Sequence, residues 1–476
     1  MNVLAIDQGT SSTKALVVGP AGHILAEAEV PVHPKPVGRD GVAQNPNELW
    51  NSVLAAGREV LARAAAPVAA VGLANQGETT LAWDCASGAP LSPAISWQDR
   101  RSATVCERLA THAEELRALT GLPLDSYFAA PKMAWLRETV ARQGVCTTTD
   151  TWLLHRLTGA FVTDATTASR TLLLDLDQAQ WSPRACEIFD VDLDSLPRIV
   201  GCSEVVGETS GFGPTIAVVG LATDQQAALF AQGCWNAGDS KCTYGTGAFL
   251  LTTTGREPVR SRSGLVSCVA WRLDGETTYC LDGQAYTVGA AVEWLRRIGV
   301  IDTAADLDAL GGQVPSANGV VFVPALAGLG APHWSPRSRG TFVGLSLDTE
   351  RAHLVRAVVE GIGAQVASLA DAVAADRGAP LTRLRADGGL TRSRALMQAQ
   401  ADLLQIPVEV SASPQATAIG IAALTRLGIG AAKYPAQAIG SRAPAQIYEP
   451  RMSADEAGSR RAAWQRAVDA AITLTS

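Results

Sequence analysis

The chain has 476 residues, 47% of them hydrophobic and 18% charged, with a formal net charge of −7. That length predicts two or three domains, and the apolar share excludes a disordered chain. The acidic balance argues against a nucleic-acid or anionic-membrane surface. No apolar run reaches the roughly 18 residues of a membrane span and no basic-then-apolar leader opens the chain, so a cytoplasmic protein is expected.

The opening reads as a strand over 2–6, a tight turn over 7–13, a strand over 14–18 and a third strand over 23–30. Leu49, Val53, Leu54, Val60 and Leu61 recur at helical spacing within 48–66, and 68–73 is a short buried strand. The pattern restarts past the middle. "DSKCTYGTGAFLLTTTG" passes from a strand through a Gly-Thr-Gly turn into an apolar strand, followed by "ETTYCLDG" as strand, "TVGAAVEWLRRIGV" as helix and "ANGVVFVPALAG" as buried strand. This is a weak internal repeat, with the domain boundary placed at 233–239, giving lobes of 1–235 and 236–476. Long amphipathic helices are expected over 351–375 and 393–405. Nine scattered cysteines without a C-x-x-C pair, and six histidines not at ligand spacing, predict reduced thiols and no zinc or redox motif.

"AIDQGTSSTK" places Asp7 before a run of small hydroxyl residues. Such a turn is either a plain hairpin or a loop whose N–H and O–H groups hold phosphate oxygens, and it lacks the glycine spacing and following helix of a P-loop. Asp7 itself fits a turn-capping carboxylate or a ligand of Mg²⁺. In "GLATDQQAALF", Asp224 fits a helix N-cap or, if it faces a cleft, a base that accepts a proton from an attacking hydroxyl. Gly388 and Gly389 in "RADGGLTRSRALMQ" let the backbone approach a flat ligand, or only make a turn.

Together with "NQGETTLAWD", "AISWQDRR", "TGLPLDSYFAAPKMAWL", "TDATTASRTLL" and "VPALAGLGAPHWSPRSRGTFVGLS", these stretches resemble the FGGY family of carbohydrate kinases, its glycerol kinase branch most closely. The resemblance spans nearly the whole chain. It implies an α/β protein of two actin-like, ribonuclease-H-like lobes with MgATP and a small polyol or sugar between them, and a homodimer or homotetramer as the oligomeric expectation. On the same basis Asp7 would sit near Mg²⁺. Thr10, Ser11, Ser12 and Lys14 would hold phosphate, Gly245 and Thr246 would form a second phosphate loop, and Gly289, Gly388 and Gly389 would line the nucleotide. Asp224 takes the place of the catalytic base, and Gly77, Glu78, Trp97, Tyr127, Asp224 and Gln225 align with positions that contact or enclose the acceptor.

The chain departs from the pattern at several positions. Glycerol kinases carry Arg-Glu-Thr-Thr where this sequence has Gly77-Glu78-Thr79-Thr80. A missing charged donor removes a hydrogen bond worth about 1.5–3 kcal/mol, and the expectation is room for a larger acceptor such as a tetritol, a pentitol or a xylulose-type ketose. Ser393 and Arg394 stand in for an Asn-Asn pair, Glu293 for a glutamine and Lys14 for an arginine, with altered adenine and phosphate contacts expected. The reading from a different class is an actin- or Hsp70-like ATPase switch without an acceptor.

Overall fold

In the computed structural model, which describes residues 1–20, 22–440 and 443–475, each predicted hairpin start opens its own sheet. The first sheet has six strands in the order Gly207–Thr209, Ile216–Thr223, Val68–Asn75, Asn2–Gln8, Ser12–Val18, Ile24–Pro31. The second has seven, in the order Val266–Leu273, Glu276–Ala285, Ala248–Gly255, Ser240–Tyr244, Leu384–Asp387, Val408–Val410, Gln446–Tyr448. An antiparallel trio in the first sheet and an antiparallel quartet in the second are each extended by two parallel strands on the side of the first member. The repeat that is weak in sequence is therefore plain in topology.

Side-chain patterning explains the strand positions. Asn2–Gln8 lies mid-sheet with both faces covered and is a nearly unbroken apolar run, whereas Ile24–Pro31, at the edge, alternates apolar and polar residues. Asp7 and Gln8, expected in the turn, instead complete the first strand, because they pair with Lys14 and Thr13 on one side and Ala74 and Asn75 on the other. The helix Pro46–Ala64 starts where Asn45 accepts from the Asn47 N–H with Pro46 in the first turn, and stops at Ala65 in a left-handed conformation. The predicted strand over 317–328 shrinks to Val321–Val323, since Pro324 has no N–H to offer a ladder.

Three helices set the geometry of the cleft. Asp224–Ala231 follows directly from the strand Ile216–Thr223, and its cap is Thr223, so Asp224 is the first helical residue and not the cap. Ala416–Gly428 comes from the second half of the chain yet packs on the first sheet and on Asp224–Ala231. The approach is so close that a Cβ on Gly420 would lie 1.9 Å from the Ala227 carbonyl oxygen. Arg351–Arg377 is long and apolar enough by length and composition to cross a membrane, but most of it is buried in the protein, in the core of the second lobe. The nine cysteines are all free and seven are buried.

Candidate active site

The turn between the first two strands is held from behind by buried amides. Asn75 Nδ2 donates to Gln8 Oε1 at 2.7 Å, Gln76 Nε2 to Gln44 Oε1 at 2.9 Å and Gln44 Nε2 to the Thr10 carbonyl at 2.8 Å. The Thr10 hydroxyl donates to Gln76 Oε1 at 3.1 Å and accepts from Trp97 Nε1 at 2.8 Å. That side chain, expected on phosphate, is committed to the pocket wall. What the turn leaves available is backbone: among the described residues, neither Thr10 nor Ser11 donates its N–H to another protein group. Ser12 and Lys14 follow on the second strand, where Lys14 pairs with Asp7 in register.

The second turn is braced differently. Gly245 N–H donates to the Gly247 carbonyl, and the carbonyls of Gly245 and Thr246 accept from Gly289 and Val288 at 3.0 Å each, which pins the turn to the start of the helix Gly289–Arg297. A Cβ on Gly289 would fall 2.5 Å from the Gly245 oxygen, and one on Gly388, at φ +96°, 2.4 Å from the Tyr244 oxygen. Both glycines are required for close backbone approach. Gly389 has nothing within 4 Å of its own Cβ position and faces open space, as Thr246 faces solvent.

Between the turns lies a cavity of about 70 Å³ lined by Thr10, Gly77, Glu78, Trp97, Tyr127, Asp224 and Gln225, with Gln76, Arg170, Thr223 and Phe249. All six positions expected to meet the acceptor are thus brought together. The aromatic wall is Trp97 edge-on to Tyr127 at 5.8 Å and to Phe249 at 6.4 Å, with Tyr286 stacked on Tyr127 at 6.2 Å. Phe249 and Tyr286 come from the second lobe and escape the sequence reading: "TYGTGAF" reads as phosphate chemistry alone, and Tyr286 lies outside the motifs.

Glu78 sits at φ +58° in a tight turn where the Thr79 N–H donates to the Gly77 carbonyl at 2.7 Å. A carboxylate held in this left-handed backbone is strained by the order of 1 kcal/mol, a cost typical of functional positions. It is ion-paired to Arg170, which also meets Asp282 at 2.7 Å and has its guanidinium over the Tyr127 ring. Burial raises the Glu78 carboxyl above its usual range, with the Arg170 charge opposing. Gly77 itself lines the cavity, where a Cβ would meet Thr223 Cγ2 at 3.1 Å and Arg170 Cδ and Nε at 3.6 Å, an ordinary contact distance. Arg170 lies in the stretch "TDATTASRTLL", but nothing in that stretch gives it a role, and only folding shows its place.

Asp224 is half-buried, with one carboxylate oxygen accepting from the Gln225 N–H at 2.7 Å. Burial raises its pKa, and the buried Lys241 ammonium works against that rise. Lys241 donates to Gln225 Oε1 at 2.6 Å and to Thr243 Oγ1 at 2.8 Å, tying the second lobe's first strand to the Asp224 helix and leaving the Gln225 amide N–H₂ as a donor. Asp7 is pushed up to about 7, first by burial and then by the charge of Asp224. Two desolvated carboxylates beside free backbone N–H groups form an oxygen-donor site for a hard cation shared with phosphate. The described residues include no cluster of three or more acidic, His or Cys ligands.

On the nucleotide side, the expected substitutions have local roles. Glu293 is exposed and paired with Arg296 at 2.5 Å. Ser393 caps the helix Arg394–Leu404 and donates to Asp308 at 2.7 Å, and the Arg394 N–H also donates to Asp308.

The N-terminal domain of the FGGY family of carbohydrate kinases matches residues 2–231 and its C-terminal domain residues 240–427. The chain is 43% identical to a glycerol kinase of Myxococcus xanthus, covering 98% of this chain and 99% of that protein. It is 42% identical to a glycerol kinase of Alkalilimnicola ehrlichii at 98% and 97% coverage. Its fold is similar to the crystal structure of Plasmodium falciparum glycerol kinase with ADP, at a TM-score of 0.91 and 29% identity over 99% of this chain and 98% of that one.

Proposed function

The chain belongs to the FGGY family of carbohydrate kinases, ATP-dependent phosphotransferases acting on an alcohol group, and from that premise we propose that its acceptor is glycerol. The observation that carries the acceptor is the size and lining of the cavity. About 70 Å³ is several times the 10–15 Å³ that one water needs, room for a three-carbon triol. Beside Gly77 the cavity is bordered by Thr223 and Arg170.

The roles follow from the geometry. Trp97, Tyr127 and Phe249 cover the carbon chain, while Glu78 and Gln225 offer an acceptor and a donor to hydroxyls removed from water. Asp224, at the mouth of its helix and with a raised pKa, is a better base than an exposed aspartate; it orients the attacking hydroxyl and takes its proton as transfer proceeds. The N–H groups of Thr10 and Ser11, with Lys14, meet the phosphates from the first lobe, and the turn at Gly245 and Thr246 meets them from the second. Bound at Asp7, Mg²⁺ would neutralise phosphate charge. Lys241 holds Gln225 in place, and its charge opposes the rise that burial imposes on the Asp224 pKa.

The reading is tested by Asp224→Asn. Transfer to glycerol, followed as ADP release, is expected to fall 10²- to 10⁴-fold, the usual share of general acid–base catalysis, with ATP affinity by calorimetry changed less than threefold. Substantial residual transfer would remove Asp224 from the role. ADP release that ignores added glycerol would point instead to the nucleotide switch.

A further inference from the structure

Arg170 is 3% exposed and borders the cavity, yet it belongs to neither phosphate turn nor to the recognised acceptor positions. Four groups fix its guanidinium: Glu78 on Nε, Asp282 at 2.7 Å and Cys268 Sγ at 3.7 Å on Nη1, and the Tyr127 ring at 5.9 Å. Two of these carry negative charge, and they come from different lobes, Glu78 from the turn after Val68–Asn75 and Asp282 from the strand Glu276–Ala285. Gln284 Nε2 donates to Asp282 at 2.8 Å and completes the anchor. One donor and one acceptor are left over. Among the described residues, Arg170 Nη2 and Glu78 Oε2 have no hydrogen-bond partner, and both side chains line the cavity that also holds Asp224. A guanidinium fork beside a carboxylate oxygen offers one donor and one acceptor side by side, the complement of two neighbouring hydroxyls.

We propose that Arg170 is an acceptor-binding and specificity residue: its Nη2 donates to one hydroxyl of the polyol while Glu78 Oε2 accepts from the adjacent one. Gly77 favours this, because a Cβ there would press on Thr223 Cγ2 at 3.1 Å beside the Arg170 stem. The Asp282 anchor makes the pair complete only when both lobes contribute, so acceptor recognition is built across the cleft. The inference rests on the cavity being the acceptor pocket.

The test is an acceptor cycle on the full-length protein with Arg170→Lys, comparing glycerol with 1,2-propanediol and 1,3-propanediol, alongside the KM for ATP and the melting temperature. The wild type is expected to prefer glycerol over at least one deoxy analogue by tenfold or more in kcat/KM. Arg170→Lys is expected to raise the glycerol KM at least tenfold and to shrink that preference towards unity, with the KM for ATP within threefold of wild type. A loss that is equal for glycerol and both analogues would make Arg170 a structural strut and overturn the proposal. If the variant does not fold, Asp282→Asn decides: it frees the guanidinium from its second-lobe anchor and must reduce the same preference, and an unchanged preference refutes the assignment. Wild-type protein that transfers phosphate to none of the three would overturn the acceptor reading itself, along with this inference.

Discussion

Asp7 and Asp224 are close enough for the charge of one to raise the pKa of the other, and neither is exposed enough for water to screen the repulsion. For Asp7 this has a consequence for stability. Its carboxyl titrates from 3.8 in the unfolded chain to about 7 in the folded one, so between these values the folded state binds more protons. Stability without metal should therefore fall as pH rises from about 4 to about 7. Asp7→Asn is expected to abolish this loss and to melt higher than the metal-free wild type at pH 8, while transfer falls by at least tenfold; an equal or lower melting temperature would count against a charged, desolvated Asp7. These two aspartates were legible in the sequence because each follows an apolar strand at a turn. Arg170 and Lys241 were not: each is a lone cation in a buried run, a pattern that carries no periodicity, and Thr243 apart their hydrogen-bond partners lie between 16 and 112 residues away along the chain.

At the scale of elements, two turns do similar work by different means. The first leaves its N–H groups free because amide side chains of Gln8, Gln44, Asn75 and Gln76 satisfy one another behind it. The second is closed by backbone alone against the helix Gly289–Arg297, and glycine is needed where the chains touch. Gly388 and Gly389 separate the two demands. Gly388→Ala places a Cβ 2.4 Å from a carbonyl oxygen at φ +96°, and should cost about 2 kcal/mol or more of stability by denaturant unfolding. Gly389→Ala meets nothing within 4 Å and should fold as wild type while raising the KM for ATP several-fold, because the added methyl stands where the nucleotide passes. Equal stability of the two variants would contradict this division. Adjacent glycines look alike in sequence, and only the neighbouring strand ending at Tyr244 distinguishes them.

The whole molecule is built on two sheets that share an antiparallel start extended by parallel strands, the second with one strand more, and the cavity draws on residues of both halves. The restart of the hairpin pattern gave notice of this duplication, and the family motifs located most of the pocket. The helix Ala416–Gly428 was legible as a helix but not as a return to the first lobe, since amphipathic spacing says that a face is buried and not against what. The cavity wall is likewise a product of both halves, with Phe249, Tyr286 and Asp282 contributed from beyond the boundary that separates the sheets. A pocket assembled this way excludes water only when the lobes are together, which is what phosphoryl transfer to an alcohol in place of water requires.

The most direct measurement is acceptor-dependent ADP release across glycerol, erythritol, xylitol and xylulose at saturating MgATP. The cavity of about 70 Å³ predicts the highest kcat/KM for glycerol, at least tenfold above either five-carbon acceptor, with negligible turnover when no acceptor is present. A maximum on a five-carbon acceptor, or turnover indifferent to any acceptor, would contradict it.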